Sequence, residues 1–555
     1  MDELKANLKA ACKKLFGVDI EPELTRPEEK FGDYATNLAL QLGKQLGKNP
    51  RQVAEQLAQH VRGETSHMLE VNVAGEGFIN FTLTDEVLSR AVTSATKLSK
   101  PLDGQEILVE FGDPNPFKEM HIGHLYSYIV GDSISKLLET SGATVRRLSY
   151  HGDVGLHVAR AIFGLRELEK ESKDRNKSLS DIPVIERENF LGIAYAYGAD
   201  KYENDQVSRR EMDVINVHIY DKDDPEINEL HEKGCELSFS YFDKILDLLS
   251  IPYDKRYLES DTASIGIELV RKHHGTVFKE SHGAVIYEGE RVGLHTRVFI
   301  TSTGLPTYET KDLGLVTLKN RDFPGAHRSI VITAHEQSEY FKVMLAALSE
   351  IDTSLAQKTS HLSHGFLSLS TGKMSSRTGN VYAALTLIEQ VEQSVRKQFP
   401  NSDASDKTDI AALKYGWLKH RLGSDIVFNI AEAVSLEGNS GPYLQYAHAR
   451  ACSIIQKAGV TDEKAKIESF EPKERSLARK ISEYPEVVKK ATDELMPHYI
   501  CTYLYELAQT FNSFYESNRI IGNERQGLRL GLVKNYQEVL ENGLGLLNIA
   551  APESI

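Results

Sequence analysis

The sequence predicts an α/β protein built on a doubly wound parallel sheet, with a small α+β domain before it and an all-helical domain after it. Three observations carry this expectation. Between Glu106 and Tyr150 a short apolar strand, a Pro/Gly-rich loop, a helix and a second strand follow one another, which is how a doubly wound sheet begins. The chain has 555 residues, room for about three to five domains at roughly 100–200 residues each. Beyond about Pro400 the apolar residues recur at helical spacing to the last segment.

The elements follow in order. DYATNLALQLGKQLGK has helical spacing, and NPRQVAEQLAQHV repeats it after an Asn-Pro start. LEVNVAG and FINFTL alternate apolar and polar residues around Gly-Glu-Gly, which predicts two strands and a tight turn. Residues 1–100 therefore read as one α+β domain, closed by the break at Ser99-Lys100-Pro101. ILVEF, the loop FGDPNPFKEMHIGH, the helix LYSYIVGDSISKLLETSG stopped by Gly142, and the strand TVRRLSY fill 101–164. Residues 165–291 are charged, mostly helical and locally acidic, ending in a hairpin-like GAVIYEGERVGL; they read as an insertion. Sheet rhythm resumes in 292–384 with TRVFIT and RSIVITA. Residues 385–402 read as a linker and 403–555 as the helical domain.

Composition narrows the function classes. Hydrophobic residues make up 41% and charged residues 26%, which excludes a disordered chain. No apolar run approaches the ~18 residues of a bilayer span. The N-terminal residues lack the pattern of a secretory or transit signal. Four cysteines stand far apart, without a CxxC, so neither a disulfide framework nor a Cys-based metal site is expected, and a reducing cytoplasmic location is. A net charge of −15 argues against a protein that coats DNA through bulk positive charge, while leaving room for a shaped RNA that meets a local basic face.

The sharpest local feature is His121-Ile122-Gly123-His124, placed after a strand and opening a helix. Gly123 allows close approach to the backbone. The helix N-terminus offers free N–H groups to an anionic phosphate, and two imidazoles three residues apart can donate to phosphate oxygens as charge builds on them. The second feature is the polar loop Gly372-Lys373-Met374-Ser375-Ser376-Arg377, whose lysine and hydroxyls suit a triphosphate. Together they form a nucleotidyl-transfer constellation.

HIGH followed by a KMSKS-like loop resembles the class I aminoacyl-tRNA synthetases, and VEFGDPNPFKEMHIGHL, TYETKDLGL, AHEQSEYF, GKMSSRTGNV, SGPYLQYAHAR, YLYELAQTFNSFY, EKFGDYATNLALQL and GEGFINFTL together resemble arginyl-tRNA synthetase over nearly the whole chain. The resemblance implies a Rossmann-type catalytic domain and ATP-dependent ligation of L-arginine to tRNA(Arg) through an arginyl-adenylate. It implies ATP with Mg2+ as co-substrate, no tightly bound cofactor and no protein metal site. It further implies no DNA or membrane partner, a monomer, and a need for bound tRNA in the first step. His121, Gly123 and His124 would hold ATP, with Lys373, Met374, Ser375 and Ser376 over its phosphates. Glu110, Asn115, His124, Tyr308, Asp312 and Gln337 would hold arginine. A planar guanidinium with five donors calls for such carboxylate and amide acceptors. Ser376 stands where the class usually has a second lysine, and Lys118, three residues before His121, would replace that charge. The last residues, Pro552-Glu553-Ser554-Ile555, depart from the family's usual ending.

For tRNA, the resemblance points to Phe78 and Asn80 as readers of a D-loop base, by stacking and by an amide on a base edge. Tyr443, Gln445, Tyr446, His448 and Arg450 gather at one helix start as further RNA contacts, with Arg519, Arg525, Arg529 and Lys534 as phosphate partners. Trp417 reads as core. Two alternatives stay open in the sequence: another class I synthetase, which the lack of a Cys/His zinc set and the N-terminal domain disfavour, and a non-catalytic RNA-binding paralogue, which the retention of both histidines and Lys373 disfavours.

Overall fold

The computed structural model of the chain describes residues 2–65, 69–173, 184–370, 382–400, 405–459 and 469–554. Its first unit holds α1 (Asp2–Phe16), β1 (Tyr34–Thr36), α2 (Leu38–Leu46), α3 (Pro50–Thr65), β2 (Leu69–Ala74), β3 (Phe78–Leu83) and α4 (Asp85–Thr93). The strands form an antiparallel sheet in the order β1-β3-β2. Helical spacing predicts one helix for DYATNLALQLGKQLGK, but its first residues are β1. Tyr34 lies opposite Phe81 and Thr36 opposite Ile79, all four buried, and this pairing outweighs the local pattern.

The central unit runs through β4 (Glu106–Phe111), α5 (Ile122–Thr140), β5 (Thr144–His151), α6 (Leu156–Lys173), α7 (Val184–Asn204), α8 (Gln206–Asp221), α9 (Pro225–Leu249), β6 (Lys255–Leu258) and α10 (Glu259–Lys272). It continues with β7 (Lys279–Ser281), β8 (Ala284–Tyr287), β9 (Arg297–Ile300), α11 (Tyr308–Asp322), β10 (Arg328–Ala334), α12 (Ser338–Ile351), α13 (Thr353–Lys358) and β11 (Thr359–His364). Five strands form a parallel sheet in the order β11-β10-β4-β5-β6. The chain leaves β4 toward β5 and β6 on one side and returns to β10 and β11 on the other, so the order reverses at the C-terminal end of β4.

Three expectations change here. The stretch 165–291 is not wholly an insertion outside the sheet, because β6 within it is the sheet's edge strand. Its sequence KRYL has only Tyr257 buried, and an edge position explains why no apolar run marks it. TRVFIT does not return to the parallel sheet. As β9 it joins β7 and β8 in a separate antiparallel sheet, and RSIVITA, as β10, re-enters the main one. The expected linker at 385–402 carries a helix, α14 (Ala384–Gln398), whose Leu387, Val391 and Val395 are buried.

The last unit contains β12 (Leu367–Leu369), α15 (Ser405–Leu418), β13 (Ile426–Phe428), α16 (Ile430–Ala433), α17 (Gly441–Ala458), α18 (Pro472–Ser482), α19 (Tyr484–Glu494), α20 (His498–Ser517) and α21 (Gln526–Leu546). It is not purely helical, since β13 pairs in parallel with β12. Trp417 is fully buried, as expected.

Helix α5 ties the units together. It is buried on nearly every side, which is why apolar residues occur all round it and its buried polar groups need partners. At its midpoint Asp132 accepts from Arg147 at 3.1 Å and from the Asn548 amide at 2.6 Å, and Ser133 donates to the Leu546 carbonyl at 3.1 Å. Lys414, buried, donates to the carbonyls of Leu249 and Asn548 at 2.6 and 2.7 Å, and burial pushes its ammonium pKa down to about 8. The first and last units meet through charge: Asp33 lies 2.7 Å from Arg475 and 3.5 Å from Arg479, and Arg26 lies 2.9 Å from Glu486.

Candidate active site

A cleft of about 690 Å³ opens at the reversal point beside β4. The loop after β4 turns through Gly112, at φ 94°. A side chain there would strike the Tyr128 ring, 2.2 Å from an ideal Cβ, so both the backbone and the packing require glycine. The loop then feeds α5, whose first residues face the cleft. His121 caps the helix: its Nδ1 accepts the Gly123 N–H at 3.1 Å, while His124 Nδ1 accepts the His121 N–H at 3.3 Å. The two rings lie 3.6 Å apart, centroid to centroid. A Cβ on Gly123 would sit 2.9 Å from the His121 ring, so glycine permits this stacking.

With both Nδ1 atoms accepting backbone N–H groups, each ring carries its proton on Nε2. Burial, with Lys118 nearby, pushes the His121 imidazole down to about 4. Burial, then His121 and His151, holds His124 well below the usual histidine range. Both rings are therefore neutral N–H donors at physiological pH, beside a helix N-terminus that attracts anions.

The other wall is acidic. Glu110, at the end of β4, is buried and paired with Lys319 at 2.7 Å. Glu259, the first residue of α10, is buried and paired with Lys311 of α11. Asp312 is 7% exposed and has no hydrogen-bond partner among the described residues. Burial, then Glu110 and Glu259, holds its carboxyl well above the usual carboxylate range, with Lys319 and Lys311 acting against them. Asn115 accepts the Gly152 N–H at 3.0 Å. Tyr308, one turn before Asp312 on α11, is 64% exposed at the rim, and Gln337 stands exposed opposite.

The cleft thus brings together Glu110, Asn115, His121, Gly123, His124, Tyr308, Asp312 and Gln337. It does not gather Lys118, whose ammonium lies over the Tyr195 ring of α7, 5.3 Å from its centroid. Lys373, Met374, Ser375 and Ser376 lie outside the described residues, but the segments on either side of them border the site. Leu367 and Ser368 line the cleft, Ile122 N–H donates to the Tyr382 carbonyl at 3.1 Å, and Ala384 N–H to the Met120 carbonyl at 2.8 Å. Sequence reasoning missed Asp113, Tyr150 and Glu259. Only the acidic content of the first two turns of α10 hinted at the last, because these residues meet through the topology of the sheet.

The expected RNA contacts divide. Phe78 is 47% exposed, and Asn80 shares its face of β3, opposite the buried Ile79 and Phe81. Tyr446 is 46% exposed. Tyr443 is half-buried and accepts from the Asn512 amide at 3.0 Å, and Arg450 lies over the Tyr515 ring, 4.4 Å from its centroid. Gln445 and His448 are buried and cannot read a base from these positions. Gln445 donates to the Ala550 carbonyl at 2.9 Å, and the His448 Nδ1 is 2.9 Å from the Pro552 carbonyl, so both hold the terminal segment. Arg525 and Arg529 are committed to Glu471 and Glu474, which takes them out of the phosphate-binding set, whereas Arg519 and Lys534 are exposed.

Neutral imidazoles and a helix N-terminus at the reversal point of a parallel sheet, beside an acidic cleft, are the features of a class I aminoacyl-tRNA synthetase. Family profiles agree along the chain: "Arginyl tRNA synthetase N terminal domain" matches residues 2–83, "tRNA synthetases class I (R), catalytic domain" matches 86–429, and "DALR anticodon binding domain" matches 444–555. The chain belongs to the arginyl-tRNA synthetase family. It is 30% identical over 476 residues to the arginine–tRNA ligase of Borrelia hermsii (81% of this chain, 80% of that protein). It is 29% identical over 577 residues to that of Shewanella denitrificans (97% and 95%). Among solved structures, the Thermus thermophilus arginyl-tRNA synthetase superposes with a TM-score of 0.84 at 26% identity, covering 100% of both chains. The Plasmodium falciparum enzyme has the same fold, with a TM-score of 0.80 at 22% identity over 100% of this chain and 99% of that one.

Proposed function

We propose that this chain joins L-arginine to tRNA(Arg) in two steps for translation, using ATP, taken as its magnesium salt, as co-substrate. The observation that carries the arginine reading is Asp312, a buried carboxyl with no hydrogen-bond partner among the described residues, in a cleft that also holds a phosphate-binding helix start. A guanidinium supplies the charge-assisted hydrogen bonds that such a carboxylate lacks. Glu259, Glu110 and Tyr308 complete that end, and Asn115 and Gln337 orient the rest of the amino acid.

In the first step the arginine carboxylate attacks the α-phosphorus of ATP, forming the adenylate and releasing pyrophosphate. The Nε2–H groups of His121 and His124 donate to phosphate oxygens as negative charge builds, and the N-terminus of α5 adds its dipole. Lys373, Met374, Ser375 and Ser376 close over the leaving group. In the second step a terminal ribose hydroxyl of the tRNA attacks the adenylate carbonyl and AMP leaves. No covalent enzyme intermediate is needed, because positioning and charge stabilisation carry the rate. Phe78, Asn80, Tyr446, Tyr443 and Arg450 contact the tRNA, and the first step requires it bound. The protein works as a monomer, and in the cytoplasm, a location that the four free cysteines support.

ATP–pyrophosphate exchange with each amino acid, with and without tRNA(Arg), tests this. Exchange with arginine alone among the amino acids, and only when tRNA is present, is the expected result. Exchange with another amino acid in place of arginine, or none under any condition, overturns it.

A further inference from the structure

Lys414 is a buried cation that the chemistry above does not use. It lies on α15, 1% exposed, and directs its ammonium at two main-chain carbonyls, Leu249 at 2.6 Å and Asn548 at 2.7 Å. Burial pushes it down to about 8; Asp132 on α5 works against that shift and Lys136 on the same helix adds to it. An apolar side chain of similar length would fill the space without that desolvation cost, so the charge answers to what it binds. Leu249 is the last residue of α9, where carbonyls lack helical partners and a cation suits the helix dipole. Asn548 follows α21 with a left-handed backbone at φ 53°.

The Asn548 side chain reaches α5. Its amide donates to Asp132 at 2.6 Å and to the Ser250 carbonyl at 3.0 Å, and Asp132 accepts from Arg147 of β5 at 3.1 Å. Trp417, three residues on and thus on the same face of α15 as Lys414, sets its ring edge-on to Tyr126, with centroids 5.9 Å apart. Tyr126 stands in the second turn of α5 and lines the cleft. One face of α15 therefore meets α5 twice: directly beside the cleft, and at mid-helix through Asn548.

We propose that Lys414 is a positioning residue for adenylation. By fixing Asn548 against the end of α9 it sets α5 through Asp132, and with α5 the placing of His121 and His124 at the helix start. It touches no substrate. This rests on the adenylation reading above and adds to it a residue outside the cleft.

The test combines Lys414→Met, which keeps the length and removes the ammonium, with Asn548→Gly, which tolerates the left-handed backbone, keeps the carbonyl and takes the amide away from Asp132. Arginine-dependent ATP–pyrophosphate exchange by the full chain is measured with tRNA(Arg) bound. Each single variant should lower kcat about ten- to a hundred-fold, with the KM values for arginine and ATP within about threefold of the parent's, as for reacting groups displaced by about 1 Å. The double variant should fall less than about threefold below the slower single one, because both cut one route. Multiplied losses overturn the assignment, as does a loss that only follows the folded fraction read by circular dichroism. The pH profile decides even if Lys414→Met does not fold: the parent's kcat should fall above about pH 8, where the ammonium gives up its proton, and Asn548→Gly should lack that limb. The same limb in both overturns the assignment. Hydrogen exchange decides without any substrate: amides of residues 125–131 should exchange at least about threefold faster in Asn548→Gly than in the parent, and an unchanged rate there overturns the assignment. A parent that exchanges pyrophosphate with another amino acid overturns the arginine reading alone, and the same cycle, run with that amino acid, still decides on Lys414.

Discussion

At the scale of single residues the cleft works by what is paired and what is left unpaired. Asp312 has no hydrogen-bond partner among the described residues, so Asp312→Asn should raise the KM for arginine about ten- to a hundred-fold or more while leaving that for ATP nearly unchanged; unchanged arginine affinity removes it from the pocket. Lys118 lies over the Tyr195 ring yet close enough to depress both imidazoles of the HIGH motif. Lys118→Ala should slow adenylation about ten- to a thousand-fold, as for loss of one preorganised charged donor, and Ser376→Lys should restore part of that loss if both positions address the same phosphates. Adenylation rates in all four combinations settle it as a double-mutant cycle, and strict additivity removes Lys118 from that role. The residues legible in the sequence, His121, Gly123, His124 and Asp312, sit in local patterns whose chemistry is written in neighbouring positions. Asp113, Tyr150 and Glu259 were not legible, because each comes from a different element and only strand order brings them together. Gln445 and His448 misled for the opposite reason: their polarity suits RNA, but it serves two carbonyls of the terminal segment.

At the scale of elements, α5 and its cap couple structure to pH. His121 titrates near 4 in the folded chain against an ordinary value near 6.5. Below about pH 6.5 the unfolded chain therefore binds a proton that the folded chain refuses. Its contribution to stability is full above that pH and is lost progressively as the pH falls toward about 4. The raised carboxyls of Asp113 and Asp312 act in the opposite sense, so a variant isolates the histidine. Urea unfolding midpoints of His121→Gln and the parent, compared between pH 7.5 and pH 5, should show the variant losing less stability on acidification. An equal loss in both places the histidine's titration elsewhere. Element types were mostly legible where periodicity was long, as in α5 and α17. They were misread where pairing partners decide, as at β1, at the edge strand β6 and at β13, which breaks the helical run beyond Pro400, while β9 was rightly read as a strand but joins another sheet. A three- or four-residue strand carries too little pattern to announce itself.

At the scale of the whole molecule, the first unit docks on the last through Asp33, Arg475 and Arg479 and through Arg26 and Glu486. A chain lacking residues 1–100 should fold and bind arginine but charge tRNA poorly. Calorimetry and acylation assays measure the two halves of that statement, and charging at the full rate would remove Phe78 and Asn80 from the RNA interface. The overall division into an α+β unit, a parallel-sheet body and a mainly helical unit was visible in composition and periodicity. The docking was not, since the arginines that make it lie some 440 residues from Asp33 along the chain.

The hold of Asn548 and Leu546 on the middle of α5 gives that helix a fulcrum. Asp132 lies eleven residues from His121, about 16 Å at the helical rise of about 1.5 Å per residue. A rocking of only about 4° about this pivot swings the imidazoles through about 1 Å, and a misplacement of that size can cost about a hundred-fold in rate. The far end of the chain thus helps to hold still the helix on whose setting the alignment of the reacting groups depends.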